Sequence, residues 1–277
     1  GRLIVSIIPL AIYQAASLSV DGMFASLGML AFAYFLYFYK TPNIKWKDIG
    51  IFYGAIILSG LLKSPFLALS LLIFLVPNDH FENKTQNIIS KLLILVTLGV
   101  GIAWSSYANS VLANSWRGEF FETKHVNAAE QLTYLINHPM FALERFTNIF
   151  TQFPVIVERF FYFSNDVRDY SSPILAALYM LFFIAFSLIY PLEEKFKLKT
   201  RIEALLIGAL IYIGVIGVQY LTWASVGAKS VVNGVFSRYF LPLLIFVPFI
   251  INTDYFGYDK EKLSQIILTI ALSFISG

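Results

Sequence analysis

The stretch "IFYGAIILSGLLKSPFLALSLLIFLV", residues 51–76, carries one charge, Lys63, and one proline, Pro65, inside an otherwise apolar run. Pro65 has no amide proton to continue a helix, and its ring pushes Ser64 out of the helical region. The run is therefore expected to fold as a hairpin: two half-length helices, 50–62 and 66–77, joined at "LLKSPF". A hairpin of this kind at membrane depth must be enclosed by protein, because hydrocarbon cannot satisfy the open backbone groups at its turn.

The rest of the chain supplies that enclosure. Apolar residues make up 58% of the 277 residues and charged residues only 13%, with 27 phenylalanines, against roughly half apolar and a quarter charged in an average soluble domain. Apolar runs recur at 3–17, 22–39, 91–109, 173–191, 203–223, 239–252 and 264–277. Most approach the roughly 20 residues that cross about 30 Å of hydrocarbon. With the two arms of the hairpin this predicts an all-α, polytopic membrane protein of about nine transmembrane or half-membrane helices. It is read as one transmembrane domain over 1–277, truncated at both ends, since the chain opens without methionine and stops inside an apolar run.

Lysine and arginine set the orientation. Lys40, Lys45 and Lys47 share one short loop, and Lys195, Lys197, Lys199 and Arg201 another, so both loops are expected on the cytoplasmic side. Alternation then places Asp21, Lys63, the long segment 110–172 and residues 226–238 together on the outer face. Within 110–172, Asn127 and Glu130 have the spacing of a capping box, and Pro139 and Pro154 each stand where one helix ends and the next begins. Met140, Leu143, Phe146 and Phe150 recur at helical spacing while Glu144, Arg145, Glu158 and Arg159 interrupt them, the pattern of helices lying in the membrane interface.

Several chemistries have no residues to work with. There is no cysteine, which excludes disulfides, thiolate catalysis and cysteine-ligated metals. His80, His125 and His138 are scattered, and His138 before Pro139 reads as a helix end. A net charge of +3 without a basic face argues against nucleic acid. What remains is a small set of ionisable groups at helix ends. Asp21, before a membrane helix, reads as an N-cap or as a carboxylate that takes a proton from an acceptor hydroxyl or holds a divalent cation. Lys63 reads as a snorkelling lysine or as an anion partner. Arg238, with Lys229 nine residues earlier, reads as an interfacial anchor or as a fork of donors matched to phosphate. Tyr239, Trp223 and Asp169 complete the candidate set as residues of a substrate cleft.

Four stretches carry a resemblance. "IIPLAIYQAASLSVDGM", "LLKSPFLAL", "NAAEQLTYLINHPMFAL" and "YLTWASVGAKSVVNGVFSRYFLPLL" occur in the order, and with the Q-A-A-S, K-x-P, H-P and R-Y-F-L-P-L-L elements, of domain-of-unknown-function family 2142, a bacterial polytopic membrane family. That family resembles the GT-C membrane glycosyltransferases in having an outward acidic loop, a K-x-P hairpin and interfacial helices. The resemblance implies a sugar taken from a polyprenyl-phosphate donor, membrane lipids as surroundings, Mg²⁺ or Mn²⁺ as the metal, and the bacterial inner membrane as location. Asp21 would match the acid of the second outer loop and also the metal ligand, Lys63 the hairpin lysine, and Arg238 a contact to donor phosphate or acceptor. The principal acid of such enzymes lies in the first outer loop, which would precede Gly1. The competing readings are a flippase or transporter of lipid-linked sugars, and a non-catalytic membrane component of polysaccharide assembly.

Overall fold

The turn after residue 62 forms where Pro65 requires it. A computed structural model describes residues 8–16, 20–113, 122–162, 172–189, 196–231 and 235–251, with a few isolated positions beyond them. Its helices are α1 (Pro9–Ala16), α2 (Val20–Lys40), α3 (Trp46–Leu62), α4 (Lys84–Ala113), α5 (Ala128–Asn137), α6 (Pro139–Thr151), α7 (Phe153–Arg159), α8 (Pro173–Ile189), α9 (Leu198–Trp223) and α10 (Phe246–Ile251). Three 3₁₀ segments, Ser64–Leu75, Asn78–His80 and Ser237–Ile245, interleave with them. Among the described residues there is no strand, only an isolated parallel bridge between Ile44 and Phe81. Among the described residues three helices are long and apolar enough to cross a membrane: α2, α4 over Lys84–Ala108, and α9. Asp169 and most of the expected span 264–277 lie outside the described residues. Contacts gather the chain into two compact units, Gly1–Ala25 with Ile156–Gly208 and Ser237–Gly277, and Ser26–Val155 with Ala209–Phe236.

In the second unit, α3 ends at Leu62, and Lys63 takes an extended backbone (φ −144°, ψ 94°). The returning arm is a 3₁₀ helix of 12 residues rather than the expected α-helical half-span. Its burial repeats every three residues: Phe66, Leu69 and Leu72 form one buried column and Leu67, Ser70 and Ile73 a second, while Phe74 is exposed. This is the period of a 3₁₀ helix, in which residues i and i+3 eclipse. The stretched rise also equalises the arms: 12 residues at about 2.0 Å reach ~24 Å, while the 17 residues of α3 at 1.5 Å reach ~26 Å. The short arm is therefore not a half-span.

Glycine lets the arms meet. A Cβ at Gly60 on α3 would stand 2.1 Å from Leu67 Cδ2, and one at Gly101 on α4 would stand 2.1 Å from Leu67 Cδ1. Leu67 is thus a wedge seated between two helix backbones, a packing that small residues permit in membranes. The protein also satisfies the turn's polar groups, as hydrocarbon could not. Trp104 Nε1 donates to Leu61 O at 2.9 Å, Lys63 N to Ser59 O at 2.9 Å, and Phe66 N to Lys63 O at 3.0 Å. At the opposite, lysine-rich end, Ile44 N donates to His80 O at 3.0 Å, Gln86 Nε2 donates to Ile44 O at 2.8 Å, and His80 Nδ1 lies 2.8 Å from Phe38 O.

The helices α5 and α6 turn several large apolar residues outward, while Ile149 is buried. Leu132, Ile136, Met140, Leu143, Phe146 and Phe150 are exposed along one stripe, while Gln131 and Arg145 are buried. Glu130, Thr133, Asn137, Glu144 and Thr147 are exposed on the same helices. Asn127 caps α5, its Oδ1 accepting from Ala129 N and Glu130 N at 3.0 and 3.2 Å. The expected reciprocal bond runs between side chains instead, from Asn127 Nδ2 to Glu130 Oε1 at 2.9 Å. His138 ends α5 and starts α6, as its place before Pro139 predicts.

The first unit is tied together by aromatic contacts and by an arginine. Phe161 meets Phe183, and Phe196 meets Phe249 with ring centroids 4.4 Å apart. Arg201, one of the charges used to orient the chain, turns back onto α10. Its Nε donates to Ile250 O at 2.6 Å and its Nη2 to Ile251 O, satisfying carbonyls that the helix end leaves open.

Candidate functional site

Within the first unit two of the sequence-predicted residues meet directly. Asp21 lies in the first turn of α2, where a carboxylate is stabilised by the positive end of the helix dipole. Its neighbour Gly22 permits the approach of α1: a Cβ there would fall 2.8 Å from Gln14 O. Arg238 comes from the 3₁₀ segment Ser237–Ile245, in which Ser237, Tyr239, Phe240, Leu241, Pro242, Leu244 and Ile245 are all buried. That apolar packing fixes the backbone from which Arg238 projects. Its Nε donates to Asp21 Oδ2 at 2.7 Å across 217 positions of sequence.

The side chains of the pair are 12% and 11% exposed. Pairing is what makes such burial tolerable, since removing one partner of a buried pair costs about 3–5 kcal/mol. The guanidinium also lies 5.3 Å from the centroid of the Tyr239 ring, within cation–π range. Asp21, Arg238 and Tyr239 are thus one cluster. A guanidinium bonded to a carboxylate and lying beside an aromatic face has its plane held by both.

Lys63, Lys229 and Trp223 belong to the second unit. Lys63 sits at the hairpin turn, between α3 and the 3₁₀ arm. Trp223 ends α9 and is partly exposed. Lys229 is exposed in the loop that follows. That loop is held closely: Val226 N donates to His125 O at 3.1 Å, Gly227 N to Gln131 Oε1 at 2.8 Å, and Tyr220 OH to Ala228 O at 2.6 Å. Gly227 has φ +74°, with Tyr134 3.3 Å from the place a Cβ would occupy, so glycine is required there.

Two residues of this region escape a reading of the sequence. Gln131 is fully buried and accepts from the Gly227 amide. Arg145 is buried, pairs through Nη2 with Glu144, and lies 4.8 Å from the Phe141 ring. Its Nε has no hydrogen-bond partner among the described residues. The signal was present as an amide and a guanidinium on amphipathic helices, but the face they occupy is set by tertiary packing, which the pattern alone does not assign.

No group of three or more His, Asp or Glu side chains able to hold a metal ion occurs among the described residues. Asp21 is a poor beginning for one, because a guanidinium already occupies the place beside its carboxylate.

The family model described as "Predicted membrane protein (DUF2142)" matches residues 2–247. The chain belongs to that family, and its apolar helices agree with the description. Neither the curated proteins nor the solved structures contain a match.

Proposed function

We propose that this member of the family transfers a sugar, as a GT-C-type glycosyltransferase, from a polyprenyl-phosphate donor to a glycan or lipid acceptor on the outer leaflet of the bacterial inner membrane. The observation that carries the reading is the Asp21–Arg238 pair, one carboxylate and one guanidinium held together in an apolar unit. Such a pair suits inverting transfer. The acceptor hydroxyl oxygen attacks the anomeric carbon, the bond from that carbon to the phosphate oxygen breaks, and polyprenyl phosphate leaves with the electron pair. A donor phosphate competes with Asp21 for Arg238. As the guanidinium turns to the phosphate, the carboxylate is released to accept the acceptor's proton. The departing charge is then met by that guanidinium in apolar surroundings, worth about 2.7–4 kcal/mol for one such donor.

Lys63 and Lys229 are proposed as further cations for the donor phosphate, and Tyr239, Trp223 and Asp169 as lining for the sugar, on the sequence argument. The described residues do not by themselves fit a Mg²⁺ or Mn²⁺ centre at Asp21, and no step here runs through a metal. The test is release of polyprenyl phosphate by the membrane-embedded protein from a panel of polyprenyl-phosphate sugars. Arg238→Ala should abolish release by the protein that a thermal scan shows to be folded, at lower stability because Asp21 loses its partner; unchanged transfer would remove the assignment.

A further inference from the structure

Pro65 leaves a carbonyl open at the hairpin turn, and a neighbouring helix closes it. In an α-helix the carbonyl of Leu61 would accept from the amide four residues on. That residue is Pro65, which has no N–H to give. The indole Nε1–H of Trp104, on α4, donates to Leu61 O at 2.9 Å instead. Trp104 thus supplies the hydrogen bond that proline withholds from the last turn of α3. Its side chain remains exposed and its ring meets that of Tyr107, with centroids 5.9 Å apart.

Lys63 stands between the carbonyl so bonded and the proline. Its own amide donates to Ser59 O at 2.9 Å, and its carbonyl accepts from Phe66 N at 3.0 Å. Pro65 in turn lies against α9, where a Cβ at Gly214 would stand 3.1 Å from Pro65 Cβ. The backbone on both sides of the lysine is therefore held by α3, α4 and α9 together. A lysine ammonium rides on a flexible stem, so the region it can reach is set by the direction in which its backbone launches it. Without the indole donor, Leu61 O must turn to water or to another donor, and the end of α3 turns with it.

We infer that Trp104 is a positioning residue for Lys63, holding the turn so that the lysine meets the phosphate of the polyprenyl-phosphate donor. The inference rests on the proposed reading of Lys63 as a cation for that phosphate. It differs from an anchoring role: an interfacial tryptophan keeps its polar N–H for head groups and water, whereas this N–H is bonded within the protein.

The experiment titrates the membrane-embedded protein with a polyprenyl phosphate and, in parallel, with the matching polyprenol, so that the ratio of the two affinities reports the phosphate contact. Lys63→Ala should lower that preference about tenfold, as loss of one charged hydrogen bond implies. Trp104→Phe keeps an aromatic ring and loses the N–H. It should lower the preference about threefold or more, leave polyprenol binding unchanged, and have no further effect in the Lys63→Ala background. Trp104→His should keep the parental preference, because its Nε2–H lies as many bonds from the backbone as the indole N–H. A thermal scan establishes that the variants fold. Parental preference in Trp104→Phe, a loss just as large in the Lys63→Ala background, or no recovery in Trp104→His overturns the inference. Weakened binding of polyprenol as well as phosphate also overturns it, as the mark of a merely structural residue. A parental protein with no preference for the phosphate removes the reading of Lys63 and this inference with it. The expected pattern without any sugar release would remove the transfer reading and leave the inference standing.

Discussion

Replacing Leu67 by alanine removes the side chain wedged between Gly60 and Gly101, and the expected effect can be worked from the contacts. In soluble cores a buried Leu→Ala change costs about 2.7–5.0 kcal/mol. Lipid is itself apolar, so the packing part dominates here and the expectation is about 2–4 kcal/mol. Gly60→Ala acts oppositely, by overpacking. Its Cβ would stand 2.1 Å from Leu67 Cδ2, against an ordinary separation of about 3.5–4.0 Å, and strain of that kind costs about 1–3 kcal/mol. The three atoms nearest the added Cβ all belong to the Leu67 side chain beyond its own Cβ, so Leu67→Ala removes the clash and Gly60→Ala then fills part of the void. The double variant should be more stable than the sum of the singles by about 1–3 kcal/mol. Detergent-driven unfolding of the four proteins in bicelles measures the cycle. Additive losses, or a Gly60→Ala variant as stable as the parent, would refute the wedge.

Other consequences are open to simpler measurements. Gly227→Ala should lower thermal stability by about 1–3 kcal/mol, because φ +74° is strained for alanine. Asn127→Ala should cost about 1 kcal/mol through loss of the α5 cap, read as faster amide exchange confined to the first turn of that helix. Arg201→Gln should expose the final carbonyls of α10 and speed exchange there, while leaving the hairpin around Lys63 unchanged.

The hairpin was legible because proline acts locally: Pro65 ends one arm and fixes the turn whatever surrounds it. The 3₁₀ character of the returning arm was not. "SPFLALSLLIFL" is apolar nearly throughout, and periods of 3.0 and 3.6 cannot be told apart when most faces read the same. Gly60 and Gly101 lie far apart in sequence, so their common partner is a tertiary fact. Asp21 and Arg238 could each be singled out as a charge at the end of an apolar run, yet nothing in one sequence pairs positions 217 apart. Gln131 and Arg145 were hidden because tertiary packing buries them, against the usual exposure of an amide and a guanidinium.

The account rests on Arg238 being a guanidinium that passes from Asp21 to the donor phosphate, and Arg238→Lys separates this from an anchoring role. Lysine keeps the charge, can pair with Asp21 and can serve at an interface, but lacks the planar fork. Release of polyprenyl phosphate by the membrane-embedded variant should fall about 10²–10³-fold with its thermal stability retained. Parental release from Arg238→Lys would contradict the account and leave Arg238 as a structural partner of Asp21.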